Sequence, residues 1–483
     1  MQQRACDTAA ETLQWINEIV QFIDPFRCVI NAHVTDFFTE RLWEAIDEEW
    51  IECLRKEPVR NLLLIPSGVV QKHWPDSLQA FVRSLSALAF FRDQSDLKEW
   101  FPGLSMMPLS EVLSQGMNAK KKHEVEVLAA AVSAISQNVG AETIIDVGSG
   151  QGYLSQVLSF RYGHPVVSVD SSSHHGTVSS SRSQRIKKHY DSQMRKSGFQ
   201  SNREFSYSQN AAVTVLVPSS ITRQIKSTTD LKTLPLNSEN ATPLVLAGLH
   251  ACGDLSATML RAFTEWKQVK AIVSIGCCYN LLTERCGHGA SSDSQYGFPM
   301  SDALKSSGVW LGKNARDLAC QSAKKWSDLD EEEGARNFEL HAFRASFQIA
   351  LRKHFPAAMN PGIGRKGKAH RRKQRGRTRP SERHEDAFAM FQRFCLSAVS
   401  RADVEKCGDV DFYAIWKEVE PYLGLVGPYW SLRAAFGPVL ETLILLDRVL
   451  SVREGDDVKE CYVVPIFDPS LSPRNVAIVC TRT

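Results

Sequence analysis

Thr143-Ile144-Ile145-Asp146-Val147-Gly148-Ser149-Gly150-Gln151-Gly152 reads as a short apolar strand running straight into a glycine turn. The stretch that follows, GYLSQVLSFRYG (152–163), carries apolar residues at helical spacing. A glycine motif acquires meaning in that context, between a strand and a helix. Its glycines let the chain turn sharply and bring backbone close to a ligand without a Cβ in the way. A second strand, VVSVD (166–170), ends on Asp170, some twenty residues beyond Gly150. A carboxylate there is placed to accept both hydroxyl hydrogens of a ribose. A nucleotide-type ligand is the leading reading, and an ordinary tight turn is the bland one. A nicotinamide dinucleotide would suit the same layout. However, the loop is acid-V-G-S-G-Q-G instead of G-x-G-x-x-G, and no polar set for hydride transfer stands out.

Working outward, AVTVLV (212–217), PLVLAGLH (243–250) and AIVSIGCC (271–278) read as further strands, with a helix over 255–266 between the last two. Strands alternating with helices at this spacing predict an α/β fold with a mostly parallel sheet. Upstream, AKKKHEVEVLAAAVSAISQN predicts a helix over 119–138. Residues 1–118 form an N-terminal helical region: AAETLQWINEIVQFI ends at Pro25, VTDFFTERLWEAIDEEWIECL is capped at Asn31 or Thr35, and SLQAFVRSLSALAFF follows. The first part of the core spans 119–353 and is interrupted by a Ser/Arg/Lys-rich insertion over about 171–210, within which SRSQRIKKHYDSQMRK suits a surface helix. A basic insertion covers 354–383, and 384–483 holds a helical region and a closing β-hairpin, CYVVPIFDPSLSPRNVAIVCTR.

The composition, 43% hydrophobic and 23% charged, belongs to a folded protein, and a net charge of +3 does not itself imply a nucleic-acid partner. The charge is concentrated instead: Arg365 through Arg379 holds nine Arg or Lys residues and no acid. Such a run repels itself, contacts phosphate without sequence preference, and suits RNA binding, a solvated loop or a nuclear-import signal. Twelve cysteines contain no C-x-x-C pair. Cys277 and Cys278 are adjacent but lack a second nearby pair, so no structural metal is expected. No secretion signal is read at the start of the sequence, which favours cytoplasm or nucleus. PVLETLILLDRVL (438–450) is interrupted by Glu441, Asp447 and Arg448 and predicts a packed helix, not a membrane span.

DVGSGQGYLSQVLSF, LVLAGLHACGDLSATMLRAF, VSIGCCYNLLTE and YGFPMS resemble a subgroup of methyltransferase-like proteins, over essentially the whole chain. Some of its members carry the label of a ribosomal RNA adenine dimethylase domain. The resemblance implies a Rossmann-like class I methyltransferase with a seven-stranded sheet completed by the closing hairpin, and S-adenosylmethionine as methyl donor. It places Asp146, Gly148, Ser149, Gly150 and Gly152 in the cofactor loop and Asp170 on the ribose. It also makes His250-Ala251-Cys252-Gly253-Asp254 the segment after strand four, beside the methyl donor. Adenine dimethylases usually have an Asn- or Asp-Pro-Pro-aromatic element there. This segment looks more like the His-x-Cys-Gly element of a transfer RNA 2′-O-methyltransferase family, which also has paired cysteines after strand five.

Methyl transfer needs in-line positioning and, for a protonated nucleophile, a base. His250 at a strand's carboxyl end is a candidate base or substrate partner, or else a structural residue of the loop. Asp254 reads as a helix N-cap or as a ligand contact. Cys252 reads mainly as a packing residue. Tyr279 and Asn280 are candidates to meet a flat substrate, as is the Phe298-Pro299-Met300 element. Lys121, Lys122, His123 and Glu124 lie on the helix entering the core, within reach of a cofactor carboxylate. A methyltransferase with RNA as substrate class is the first expectation. A protein or small-molecule methyltransferase, or a non-catalytic binding protein keeping the fold, are the alternatives.

Overall fold

The computed structural model describes residues 6–94, 96–197, 216–236, 242–285, 295–354, 386–401, 410–455 and 457–482. The basic stretch 365–379 lies outside these residues. Seven strands form one sheet: β1 (Thr143–Val147), β2 (Val166–Asp170), β3 (Ser219–Thr222), β4 (Leu244–Ala251), β5 (Val269–Gly276), β6 (Glu460–Pro465) and β7 (Val476–Thr481). Their order is β3-β2-β1-β4-β5-β7-β6. Strands β1 to β5 run parallel, while β7 pairs antiparallel with both β5 and β6. This is the mostly parallel, Rossmann-like methyltransferase arrangement.

The central strands are apolar because both faces are covered. Ile144, Ile145, Val245, Leu246, Val273 and Ile275 have no exposed surface, and burying each such side chain contributes about 1.5–3 kcal/mol. The helix Ala119–Asn138 packs on β4 and β5 through Val125, Leu128 and Val132. It begins where the Asn118 side-chain oxygen Oδ1 accepts the Lys121 amide at 2.8 Å. Helix Tyr153–Phe160 follows the glycine loop, and Asp254–Glu265 joins β4 to β5.

The third strand differs from its expected place. Residues 211–215 lie outside the described set, and the strand paired to β2 is Ser219-Ser220-Ile221-Thr222. It sits at the sheet edge with its residues mostly exposed, so nothing required it to be apolar. Within the first insertion, Ser173–Ser197 is helical. The 438–450 stretch falls inside the helix Val426–Arg453, and among the described residues no helix is long and apolar enough to cross a membrane.

Contacts divide the chain into two units. The first joins 1–24, 87–325 and 437–483 and contains the sheet; the second joins 25–86 and 326–436. In the second unit Phe391 stacks on Trp416 at 5.2 Å, and Phe26 meets Phe81 at 5.1 Å. The buried Arg433 donates to the carbonyls of Val29 and Ile30 at 3.0 and 2.9 Å. The expected helix over 34–54 is divided there into Val34–Asp36, Leu42–Ala45 and Glu48–Leu54. Arg41 adopts a left-handed φ of 48°, and the Asp47 carboxylate caps the last piece by accepting the Glu49 amide at 2.9 Å. No glycine or proline marks either break.

Candidate functional site

Between β1 and β4 the strand order reverses, so the loops leaving their carboxyl ends diverge. Open α/β sheets bind ligands in that crevice. A cavity of about 790 Å³ occupies it, lined by Asp146, Gly148, Ser149, Gly150 and Asp170 from the first two strand ends and by Leu249, His250 and Cys252 from β4. Its volume is in the range of small-molecule sites.

The glycine loop is tied to β2 by the amides of Gly148 and Ser149, which donate to the Val169 carbonyl at 2.8 and 3.0 Å. Gly150 has a φ of 54° and open space where a Cβ would stand. Its amide donates to Asp170 Oδ2 at 2.9 Å. The other Asp170 oxygen accepts from the Ser172 amide at 2.9 Å and stands 3.1 Å from His175 Nδ1. Three partners hold the carboxylate in place and leave acceptor capacity for a hydroxyl. Gly152 does not line the cavity. Its φ of 75° and its contact with Ser179 explain the glycine, because a Cβ would collide with that hydroxyl.

Asp146 is 1% exposed and accepts from Ser155 Oγ at 2.5 Å. Burial lifts its pKa to about 6; the Ser155 hydrogen bonds and the Lys121 ammonium oppose the rise, and the neighbouring Asp170 charge adds to it.

His250 occupies an irregular point in β4, where the register with β5 shifts between Leu249 and Ala251. Its φ of 64° is rare for a residue with a Cβ. Such bulges re-aim a side chain beside a site, and here the ring reaches Glu124, with Nε2 3.1 Å from Oε2. Glu124 is fully buried, accepts from Ser472 Oγ at 2.7 Å, and pairs with the Lys121 ammonium at 3.0 Å. Burial pushes its pKa up, but His250, Lys121 and Ser472 together outweigh that and hold it down to about 2. An ionised carboxylate only accepts, so His250 Nε2 carries the hydrogen, and in the neutral ring Nδ1 is then the acceptor. His123 points elsewhere: its Nε2 accepts the Asp468 amide at 3.0 Å. Lys122 is 3.9 Å from Glu126.

Of the four candidate catalytic residues, the structure brings only His250 into the cavity. Gly253, not Asp254, is the N-cap of the next helix, and Asp254 Oδ1 accepts the Thr283 amide at 2.8 Å. Tyr279 is buried and donates to Glu441 at 3.0 Å, beneath Arg474 and Arg448. Asn280 Oδ1 accepts from the Cys320 thiol at 3.6 Å. Phe298 is fully buried, and the Met300 amide donates to Asp447 at 2.7 Å. These groups hold the loop after β5 in place; they do not line the cavity. His175, Arg223 and Gln224, which do line it, were missed because nothing in their local sequence distinguishes them.

Residues 120–285, which hold the glycine loop, Asp170, Glu124 and His250, match a family model described as a methyltransferase domain. The chain carries a methyltransferase-like domain. It is also similar to the probable methyltransferase-like protein 25 of Mus musculus, at 25% identity over 96% of this chain and 95% of the relative. The human protein of the same name is 24% identical over 96% of both chains. These similarities cover 96% of the chain, well beyond the glycine loop.

Proposed function

We propose that the domain is an S-adenosylmethionine-dependent methyltransferase, with the donor in the switch-point cavity and RNA as the substrate class. The observation that carries the reading is the convergence of the glycine loop, Asp170 and His250, the last held by the buried Glu124, on one cavity of about 790 Å³. The donor set suits the group: a fixed carboxylate for ribose hydroxyls, open backbone at Gly150, and the Lys121 ammonium for an amino-acid carboxylate. Bound there, S-adenosylmethionine supplies an electrophilic methyl group on a sulfonium.

The chain's own contribution is to position and to move a proton. Asp170 and the glycine loop would hold and orient the donor, and His250 lines the same cavity. Glu124 holds the imidazole in one tautomer, and His250 Nδ1 takes the proton from a hydroxyl or amino nucleophile. Support for RNA comes from the sequence of the basic 365–379 stretch, which suits phosphate contacts, and from the His-x-Cys-Gly likeness.

Calorimetric titration with S-adenosylmethionine tests the donor, with Asp170→Ala as the comparison. One-to-one binding that is lost in the folded variant is expected, and no binding by folded wild-type protein overturns the reading. Transfer of labelled methyl to total cellular RNA, falling as salt rises, tests the substrate. Label appearing only in protein or small molecules refutes the RNA assignment.

A further inference from the structure

Cys252, Cys277 and Cys278 converge where β4 and β5 end side by side. Their sulfurs lie within 4.8 Å of one another. The separations are 3.0 Å for Cys252–Cys277 and 3.4 Å for each of the other two pairs. The adjacent pair of the sequence thus acquires its third thiol from the neighbouring strand. We propose that these three thiols form a metal site of the kind zinc takes, linking the loops that leave β4 and β5. The proposal stands apart from the methyl-transfer reading and does not depend on it.

Three arguments converge. Zinc–sulfur bonds of 2.3 Å in tetrahedral geometry put sulfurs about 3.8 Å apart, so the cluster needs to open by about 0.4 Å at two of its edges and about 0.8 Å at the third. A disulfide accounts for at most two of the thiols, since each bond needs 2.03–2.05 Å between one pair of sulfurs, and the third would remain crowded against it.

The surroundings also place a cation beside the cluster. Arg448 is 1% exposed, its Nε has no partner among the described residues, and a Cβ on Gly276, the residue before Cys277, would stand 2.7 Å from its Nη1. That guanidinium stands against the backbone that leads into Cys277. A buried cation left partly unpaired is costly, and three thiolates on a divalent ion carry one net negative charge to meet it.

Cys252, the exposed member, also lines the cavity. The fourth coordination position therefore opens toward that side, where a water or a substrate atom completes the shell. The Cys320 thiol donates to the Cys277 carbonyl at 3.8 Å and supports the pair from behind. The site takes soft-metal ions, for which thiolate ligands select.

The test is elemental analysis of full-length protein purified under reducing conditions without chelator, followed by cobalt(II) titration of chelator-stripped protein. About one zinc per chain and a thiolate-to-cobalt charge-transfer band are expected. Both are expected to vanish in Cys252→Ser and in the Cys277→Ser, Cys278→Ser double variant, and to persist in Cys28→Ser. Alkylation of the wild-type protein keeps the test valid if those variants fail to fold. Zinc must slow modification of Cys252, Cys277 and Cys278 and leave Cys28 unchanged. Absence of both metal and cobalt band from reduced wild-type protein, equal alkylation with and without zinc, or a Cys252–Cys277 disulfide persisting under reduction overturns the proposal.

Discussion

Replacing Glu124 by Gln isolates the buried charge that fixes His250. The ordinary glutamate value is 4.5 and the folded value is about 2, a difference corresponding to about 3 kcal/mol of stability at pH 7. The sign follows from the depressed value: the contribution is present above 4.5 and is lost as pH falls through 2. At pH 3 it should have shrunk to roughly 1.4 kcal/mol. Urea unfolding of wild type and Glu124→Gln at pH 7 and pH 3 measures both figures. A double-mutant cycle with His250→Ala should assign much of the loss to the pair. Equal losses at the two pH values would show that the residue acts through packing alone and would refute the electrostatic argument. So would additivity with His250→Ala.

Asp146 carries the opposite sign. Its pKa is raised from 3.8 to about 6, so its favourable contribution is present below 3.8 and lost as pH rises through 6. Asp146→Asn should therefore unfold up to about 3 kcal/mol less readily at pH 7.5, with the gain vanishing near pH 4 in the same urea assay. Glu441 is buried between Arg92 and Arg474, 2.5 and 3.0 Å away; Glu441→Ala should cost about 3–5 kcal/mol by leaving both cations unpaired, measured by thermal unfolding. Gly152→Ala combines a φ of 75° with a collision at Ser179. It should destabilise by about 2 kcal/mol or more, and Ser179→Gly should recover part of the loss.

The sheet was legible because strands covered on both faces must be apolar: VVSVD and TIIDV could hardly be read otherwise. The helix 119–138 was legible from its long run of helix-forming residues, whereas the Asn118 side chain that caps it emerged only with the structure. β3 was not legible, since an edge strand with exposed side chains keeps no apolar signature. The site divides along the same line. The glycine loop and Asp170 are contiguous with their strands, so spacing alone placed them together. Glu124 and His250 are 126 residues apart, and only the register of β4 against the neighbouring helix joins them. Tyr279 shows the converse failure. It follows a strand end, where sites gather, yet its ring turns inward because Glu441, on a distant helix, supplies a partner for its hydroxyl.

The antiparallel strand between β5 and β6 sets a schedule for the growing chain. β5 ends at residue 276, and its pairing partner β7 begins at residue 476. At translation rates of about 5–20 residues per second, the interval between them is roughly 10–40 s. Throughout it, the bare edge of a strand that is apolar apart from Lys270 and Ser274 waits in the nascent protein, the kind of edge that recruits other chains. Synthesis speed and chaperone supply should therefore govern the yield of active protein more than the stability of the finished fold does.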